Sequence, residues 1–243
     1  MKLVIGHLYP DLLNLYGDRG NIACLTKRCQ WRGIEAEVRT FELGEPIDFT
    51  KLDLVLLGGG SDREQMLVCQ KLREIRKDFQ EYVEKDGVVI AICGGYQLLG
   101  KYYKTDQGTI PGLELVDMYT EQGEGRLIDN IVLKSDLVEM PIVGFENHGG
   151  RTYINGNRSL GKVLYGSGND GQTKEEGVVY RNVIGTYLHG PLLPKNPQLA
   201  DYLIKKALER KYQKEIILEK LDDSQEEEAN TYVFQRFSGE KEK

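Results

Sequence analysis

Apolar residues fall in short dense runs separated by charged, helix-length stretches, a rhythm that sets the fold class before any motif is considered. Leu3 to Tyr9 reads as a first strand broken by Pro10, with a polar turn from Asn14 to Asn21 behind it. A helix is predicted from about Asn21 to Trp31, stopped by Gly33. Ile34 to Phe41 alternates as a second strand, and Leu52 to Leu57 is a third, ending in Gly58-Gly59-Gly60-Ser61-Asp62. Met66 to Lys85 reads as one charged amphipathic helix leading to the run Val88 to Ile92, too apolar and β-branched to be anything but a buried parallel strand. Strands and helices in this order predict an α/β fold with an open, mostly parallel sheet flanked by helices. Ligands of such sheets sit outside the carboxyl ends of the strands.

The middle of the chain changes character. Arg126–Leu133, Ile142–Phe145, Lys162–Tyr165 and Val178–Tyr180 are short strands between turn residues, so antiparallel additions to the sheet are expected. Val183–Leu188 is another apolar strand, ending on His189-Gly190-Pro191. A last helix is placed from Pro197, capped by Asn196, to about Tyr212. This divides the chain into a domain over 1–212 and a charged extension over 213–243, read as either partner-contacting or disordered.

Composition narrows the function classes. A formal charge of -6 argues against a nucleic-acid surface, which would need a basic patch. No apolar run has the length of a transmembrane segment, and the N-terminus is too short for a signal peptide. Cys24, Cys29, Cys69 and Cys93 form no paired framework, which points to a reducing cytoplasm. Three histidines and no Cys-x-x-Cys make a metal site unexpected.

One cysteine stands apart. Cys93 ends the Val88–Ile92 strand and is followed by Gly94-Gly95 and residues able to start a helix. That is the strand–turn–helix of a nucleophile elbow, with Ala91 and Gly95 as the small neighbours such a turn requires. The following helix is expected to favour the thiolate through its N-terminal amides. His189, at a strand end beside glycine, is the candidate base and acid. His148, in the Gly-rich stretch Glu146–Arg151, is its competitor and is read as a loop residue shaping the pocket wall. An amide of the Gly58–Gly60 turn, with that of Gly94, can form an oxyanion hole. Gly156-x-x-x-x-Gly161-Lys162 is set aside as a phosphate loop, because Val163 replaces the required hydroxyl and a strand follows.

The elbow, the glycine turn one strand earlier and the late strand-end histidine together resemble the class I glutamine amidotransferases, most closely their cobyric acid synthase-like branch. The phrases Leu13–Asn21, Gly58–Gln65, Ile92–Gln97, Gly144–Thr152 and Gly185–Pro191 carry the likeness, which spans residues 1 to about 212. The resemblance implies a flavodoxin-like amidotransferase fold and a glutaminase. Cys93 would attack the side-chain amide of L-glutamine, and the oxyanion would rest on amides near Gly59 or Gly60 and of Gly94. His189 would serve the departing ammonia and then the hydrolytic water. Arg126 matches a substrate-holding position, with a surface ion pair as the alternative, and Gln97, Asn147 and His148 would line the pocket. The resemblance further implies a heterodimer with a Mur ligase-like (MurT-like) amidating subunit. That subunit would hold ATP and Mg, leaving no cofactor in this chain. It would handle the lipid-linked acceptor and amidate the D-glutamate α-carboxyl of lipid II to D-isoglutamine, at the inner face of the membrane.

One position departs from the family pattern. The class I triad places a glutamate two residues after its histidine, and here Pro191 stands there. An orienting carboxylate is therefore expected from the partner subunit. The rival readings are an amidotransferase subunit for a cobalamin-type precursor, an inactive scaffold subunit, and an intracellular cysteine peptidase.

Overall fold

The computed structural model describes residues 1–14 and 17–238. Leu15 and Tyr16, part of the phrase Leu13–Asn21, and residues 239–243 of the extension lie outside the described residues. In chain order, β1 (Lys2–Leu8), α1 (Arg19–Trp31), β2 (Glu35–Phe41), β3 (Leu54–Leu57), α2 (Asp62–Glu74), α3 (Arg76–Glu84), β4 (Val88–Ile92) and α4 (Gly94–Leu98) form the first half. There follow β5 (Tyr102–Thr105), β6 (Gly108–Pro111), β7 (Tyr119–Lys134), β8 (Ile142–Tyr153), β9 (Gly161–Tyr165) and β10 (Glu175–Glu176). The chain then runs through β11 (Val178–Tyr180), β12 (Val183–Thr186), α5 (Pro197–Tyr212) and α6 (Ser224–Ser238).

The first sheet has the order β11-β12-β4-β3-β1-β2, parallel except for β11. β3 and β4 are buried at every position, as expected of continuous apolar strands covered on both faces. Edge strand β2 alternates between exposed and half-buried positions. Strand order reverses at β1 and β3, which opens a crevice at their carboxyl ends. Register levels that edge: Leu57 pairs with Ala91, and Thr186 pairs with Ile92. Gly58, Cys93 and Tyr187 therefore emerge side by side.

Of the middle strands, β11 adds antiparallel to the first sheet, while the others build a second sheet of their own around the long strand β7. β7 pairs with β8 along most of its length, with a register shift between Gln122 and Leu127. The stretch Glu146–Arg151, expected as a Gly-rich loop, lies inside β8. Its glycines serve close packing: a Cβ at Gly150 would stand 2.5 Å from Gln97 Nε2 and 3.0 Å from the Tyr187 hydroxyl oxygen. Phe145 and His189 form an antiparallel bridge that ties the second sheet to the first.

Two other expectations change. The helix predicted over Met66–Lys85 is two helices, broken at Ile75, whose φ of -111° and ψ of 16° end α2. It also starts earlier, because Ser61 and Glu64 form a capping box. The charged extension is folded back on the domain over its described part. Asn230 on α6 donates to the carbonyls of Pro141 and Lys195, both at 3.0 Å. Before it, Asp223 and Asp201 clasp Arg28, whose side chain is 3% exposed, at 2.6 and 2.7 Å.

A buried guanidinium left with half its partners, or carboxylates left without it, is costly. Arg28→Ala is therefore expected to lower stability by about 3 kcal/mol in urea denaturation. A loss below about 1 kcal/mol would place this cluster with ordinary surface pairs.

Candidate active site

The chain after β4 turns so sharply that Cys93 takes φ 51° and ψ -106°, a conformation L-residues rarely hold. Hydrogen bonds on both sides enforce it. The Cys93 amide donates to Thr186 O at 2.8 Å, its carbonyl accepts from the Gln97 amide at 3.0 Å, and the Gly95 amide donates to Gly58 O at 3.0 Å. Glycine at 95 is obligatory, since a Cβ there would meet Leu57 O at 2.5 Å. A Cβ at Gly59 would lie 3.1 Å from Cys93 Cβ and 3.7 Å from the Gly94 nitrogen. The glycine turn and the elbow are thus in contact, as their places at neighbouring strand ends require.

The electrostatics run against one expectation. The helix after Cys93 was expected to favour the thiolate, yet the thiol is pushed up to about 12, first by burial and next by the negative field of Asp18. The Gly94 amide and the Arg126 charge pull the other way and are outweighed. The physical reason is burial: the sulfur belongs to a residue only 8% exposed, and a five-residue α4 carries too little macrodipole to offset that.

His189 follows β12, the strand beside β4. It is fully buried, and its ring meets Phe145 edge-on with centroids 5.6 Å apart. Burial, followed by the positive fields of His148, Lys195 and Arg126, lowers its pKa to about 4. A thiol near 12 and an imidazole near 4 keep the proton on sulfur at neutral pH. Fully buried Glu176 braces the segment leading to His189. Its Oε1 accepts from the Thr186 hydroxyl and the Tyr187 amide, both at 2.7 Å, and Thr186 Oγ1 in turn accepts from the Leu188 amide at 3.0 Å. Burial pushes the Glu176 carboxyl up to about 8.

Arg126 lies exposed on β7, within the register shift between Gln122 and Leu127. Its Nε donates to Asn147 Oδ1 and its Nη2 to Asn147 O, both at 2.8 Å, so Asn147 orients the guanidinium. Its charge acts on Cys93, His189, Asp62 and Tyr103. Gln97 and His148 converge on Tyr187 instead. Gln97 Nε2 donates to the Tyr187 hydroxyl at 3.1 Å, and the His148 ring stacks on Tyr187 at 3.6 Å with planes 3° apart. His148 Nδ1 is 2.8 Å from Gly150 O, so that nitrogen carries a proton, and Nε2 faces Glu146 Oε2 at 3.6 Å. These two residues form a packed wall behind the elbow.

The sequence reading missed Asp18 and Glu176 as parts of the site. Asp18 lies within the stretch Leu13–Asn21, and its signal is an acid in the sequence Gly17-Asp18-Arg19-Gly20 following a buried strand. Glu176 had no local signal, because its partners are ten and eleven residues away on another strand. Among the described residues no cluster of three or more His, Cys, Asp or Glu side chains could hold a metal ion.

Comparison with known proteins fits this geometry. Residues 4–197 match the CobB/CobQ-like glutamine amidotransferase domain. The GatD subunit of the glutamine-hydrolysing lipid II isoglutaminyl synthase of Staphylococcus aureus is 48% identical over 211 residues, 86% of this chain and 86% of that protein. Its counterpart in Streptococcus pneumoniae is 40% identical, covering 91% of this chain and 86% of that protein. The cobyric acid synthase of Listeria innocua is 32% identical over 59% of this chain and only 29% of its own length. A crystal structure of a glutamine amidotransferase superposes with a TM-score of 0.54 at 17% identity, covering 84% of this chain and 98% of that one, which bears on the fold alone.

Proposed function

The chain belongs to the CobB/CobQ-like glutamine amidotransferase family, and from that premise we propose that it hydrolyses glutamine at Cys93 and supplies ammonia to a lipid II-amidating ligase subunit. It is a glutamine-hydrolysing enzyme subunit, and the remaining question is which groups do the work. The observation that supports Cys93 most is its strained turn at the end of β4, in contact with the Gly58–Gly60 turn and one strand from His189.

In this reading, Arg126, held by Asn147, receives the α-carboxylate of L-glutamine. Cys93 sulfur attacks the side-chain amide carbon, its proton passes to His189, and the oxyanion is met by backbone amides at the elbow. Collapse breaks the C–N bond as His189 protonates the leaving group, which departs as ammonia. Water, deprotonated by His189, then cleaves the γ-glutamyl thioester, releasing glutamate and restoring the thiol. The ammonia passes to a MurT-like partner that spends ATP, with Mg, to activate the D-glutamate α-carboxyl of lipid II. No helix among the described residues is long and apolar enough to cross a membrane, so in this reading the partner handles the lipid-linked acceptor at the inner membrane face. Pro191 stands where the class I triad has its acid, so the carboxylate that orients His189 comes from the partner.

The test uses glutamine labelled with ¹⁵N in its side-chain amide, together with ATP, lipid II and the ligase that co-purifies with the chain. Label in the D-isoglutamine amide of the product is the expected result. Unlabelled lipid II alongside normal glutamate release would leave a glutaminase but remove the proposed acceptor.

A further inference from the structure

The start of α1 touches both halves of the site. Asp18 is fully buried, and its Oδ2 accepts the Gly59 N–H at 2.9 Å. Two residues on, a Cβ at Gly20 would lie 2.5 Å from Pro191 Cγ, so α1 packs directly on the turn after His189. Asn21 Oδ1 then accepts the Leu193 amide at 2.8 Å. One short stretch of chain grips the glycine turn with Asp18 and the histidine segment with Gly20 and Asn21.

Asp18 is not serving its own helix. It occupies the N-cap of α1, where a carboxylate ordinarily accepts from the first helical amides, yet it has φ -56° and ψ -23° and makes no side-chain cap hydrogen bond. It is spent on Gly59 instead. Its other oxygen, Oδ1, is buried with no hydrogen-bond partner among the described residues. Burying a carboxylate so sparsely bonded is expensive, and burial pushes its pKa up to about 7. The cost falls beside the nucleophile, whose thiol feels this field.

We propose that Asp18 is a positioning residue for glutamine hydrolysis. By holding the Gly59 amide it fixes the peptide plane between Gly58 and Gly59, and it leaves the amides of Gly60 and Gly94 to receive the oxyanion at Cys93. An N–H already committed to a carboxylate cannot also take a developing oxyanion, and the negative oxygen on it repels one. Gly59 therefore packs against Cys93 without donating to the substrate. What matters is an acceptor at this point, not its charge, so an asparagine oxygen serves as well. The proposal rests on the glutaminase reading above.

Three measurements test it on the full chain in complex with its co-purifying ligase: glutamine turnover, iodoacetamide labelling of Cys93, and thermal melting. D18A lowers kcat about 100-fold through the displaced turn, with KM little changed and Cys93 still labelled. D18N, which keeps the acceptor, restores most of that kcat. If D18A does not fold, D18S takes its place, since its shorter side chain stops short of Gly59, and it shows the same kcat loss. Wild-type kcat in a folded D18A or D18S variant overturns the proposal, and so does a folded D18N as slow as either. A loss of labelling in step with kcat overturns it too, because that is general collapse of the site. If the wild-type complex releases no ammonia while Cys93 still labels, the glutaminase reading itself has failed, and this role for Asp18 falls with it.

Discussion

Cys93→Ala abolishes ammonia release from glutamine, with a fall in kcat of about 10⁴-fold or more. The size follows from what the sulfur does. Neither His189 nor the elbow amides can form the thioester, so only unassisted attack by water remains. The fold should survive the change. Cys93 is 8% exposed and loses one sulfur atom, and the strained φ of 51° tolerates alanine as poorly as cysteine, so the variant melts near the wild type. Serine at the same place is expected to be almost as inactive, because a hydroxyl at this buried position ionises less readily than a thiol already held near 12. Ammonia release from Cys93→Ala within tenfold of wild type would move the chemistry elsewhere.

The second large effect concerns the partner. With the thiol near 12 and His189 near 4, the lone chain has almost no thiolate at neutral pH, and its imidazole is a weak base. Below the thiol pKa the thiolate fraction rises tenfold per pH unit, so once Asp18 is ionised iodoacetamide labelling of Cys93 in the lone chain climbs about tenfold per unit between pH 8 and 10. His189 is neutral throughout that window, since its lowered pKa lies below it, and adds no step of its own. A carboxylate brought to His189 by the proposed ligase partner would raise the imidazole pKa and stabilise the imidazolium paired with thiolate. Adding the ligase should therefore raise glutamine hydrolysis at pH 7 by about 100-fold and flatten the labelling profile toward neutral pH. A lone chain as active as the complex would remove the need for an outside acid.

Much of this was legible locally. The continuous apolar runs of β3 and β4 announced buried parallel strands, and the start of α5 was readable from Pro197, although Asn196 gives that helix no side-chain cap and directs its amide to Val143 and Leu192 instead. Cys93 between Ala91 and Gly95 marked the elbow, because a strained turn restricts its immediate neighbours. Less local features escaped. Ser61 and Glu64 cap α2 four residues before the predicted start, a signal present but passed over. The Gly149-Gly150 pair looked like a loop, although glycine in a strand also marks close approach, here to Gln97 and Tyr187. Charge without periodicity after Gln213 hid a folded segment whose anchors, Asp223 and Asn230, find their partners far back in the chain.

The linear order of residues by itself determined the parallel sheet, the sharp turn that carries Cys93 and the place of His189 just after a strand, because strand periodicity and turn sterics depend on neighbours a few positions apart. The protonation of the site was decided only in three dimensions. Burial and Asp18 hold the thiol neutral, and burial with His148, Lys195 and Arg126 does the same for the imidazole, all groups that folding gathers from distant segments. Solvent exclusion and electric fields act through space, so a pattern along the chain announces where a nucleophile stands but not how readily it ionises.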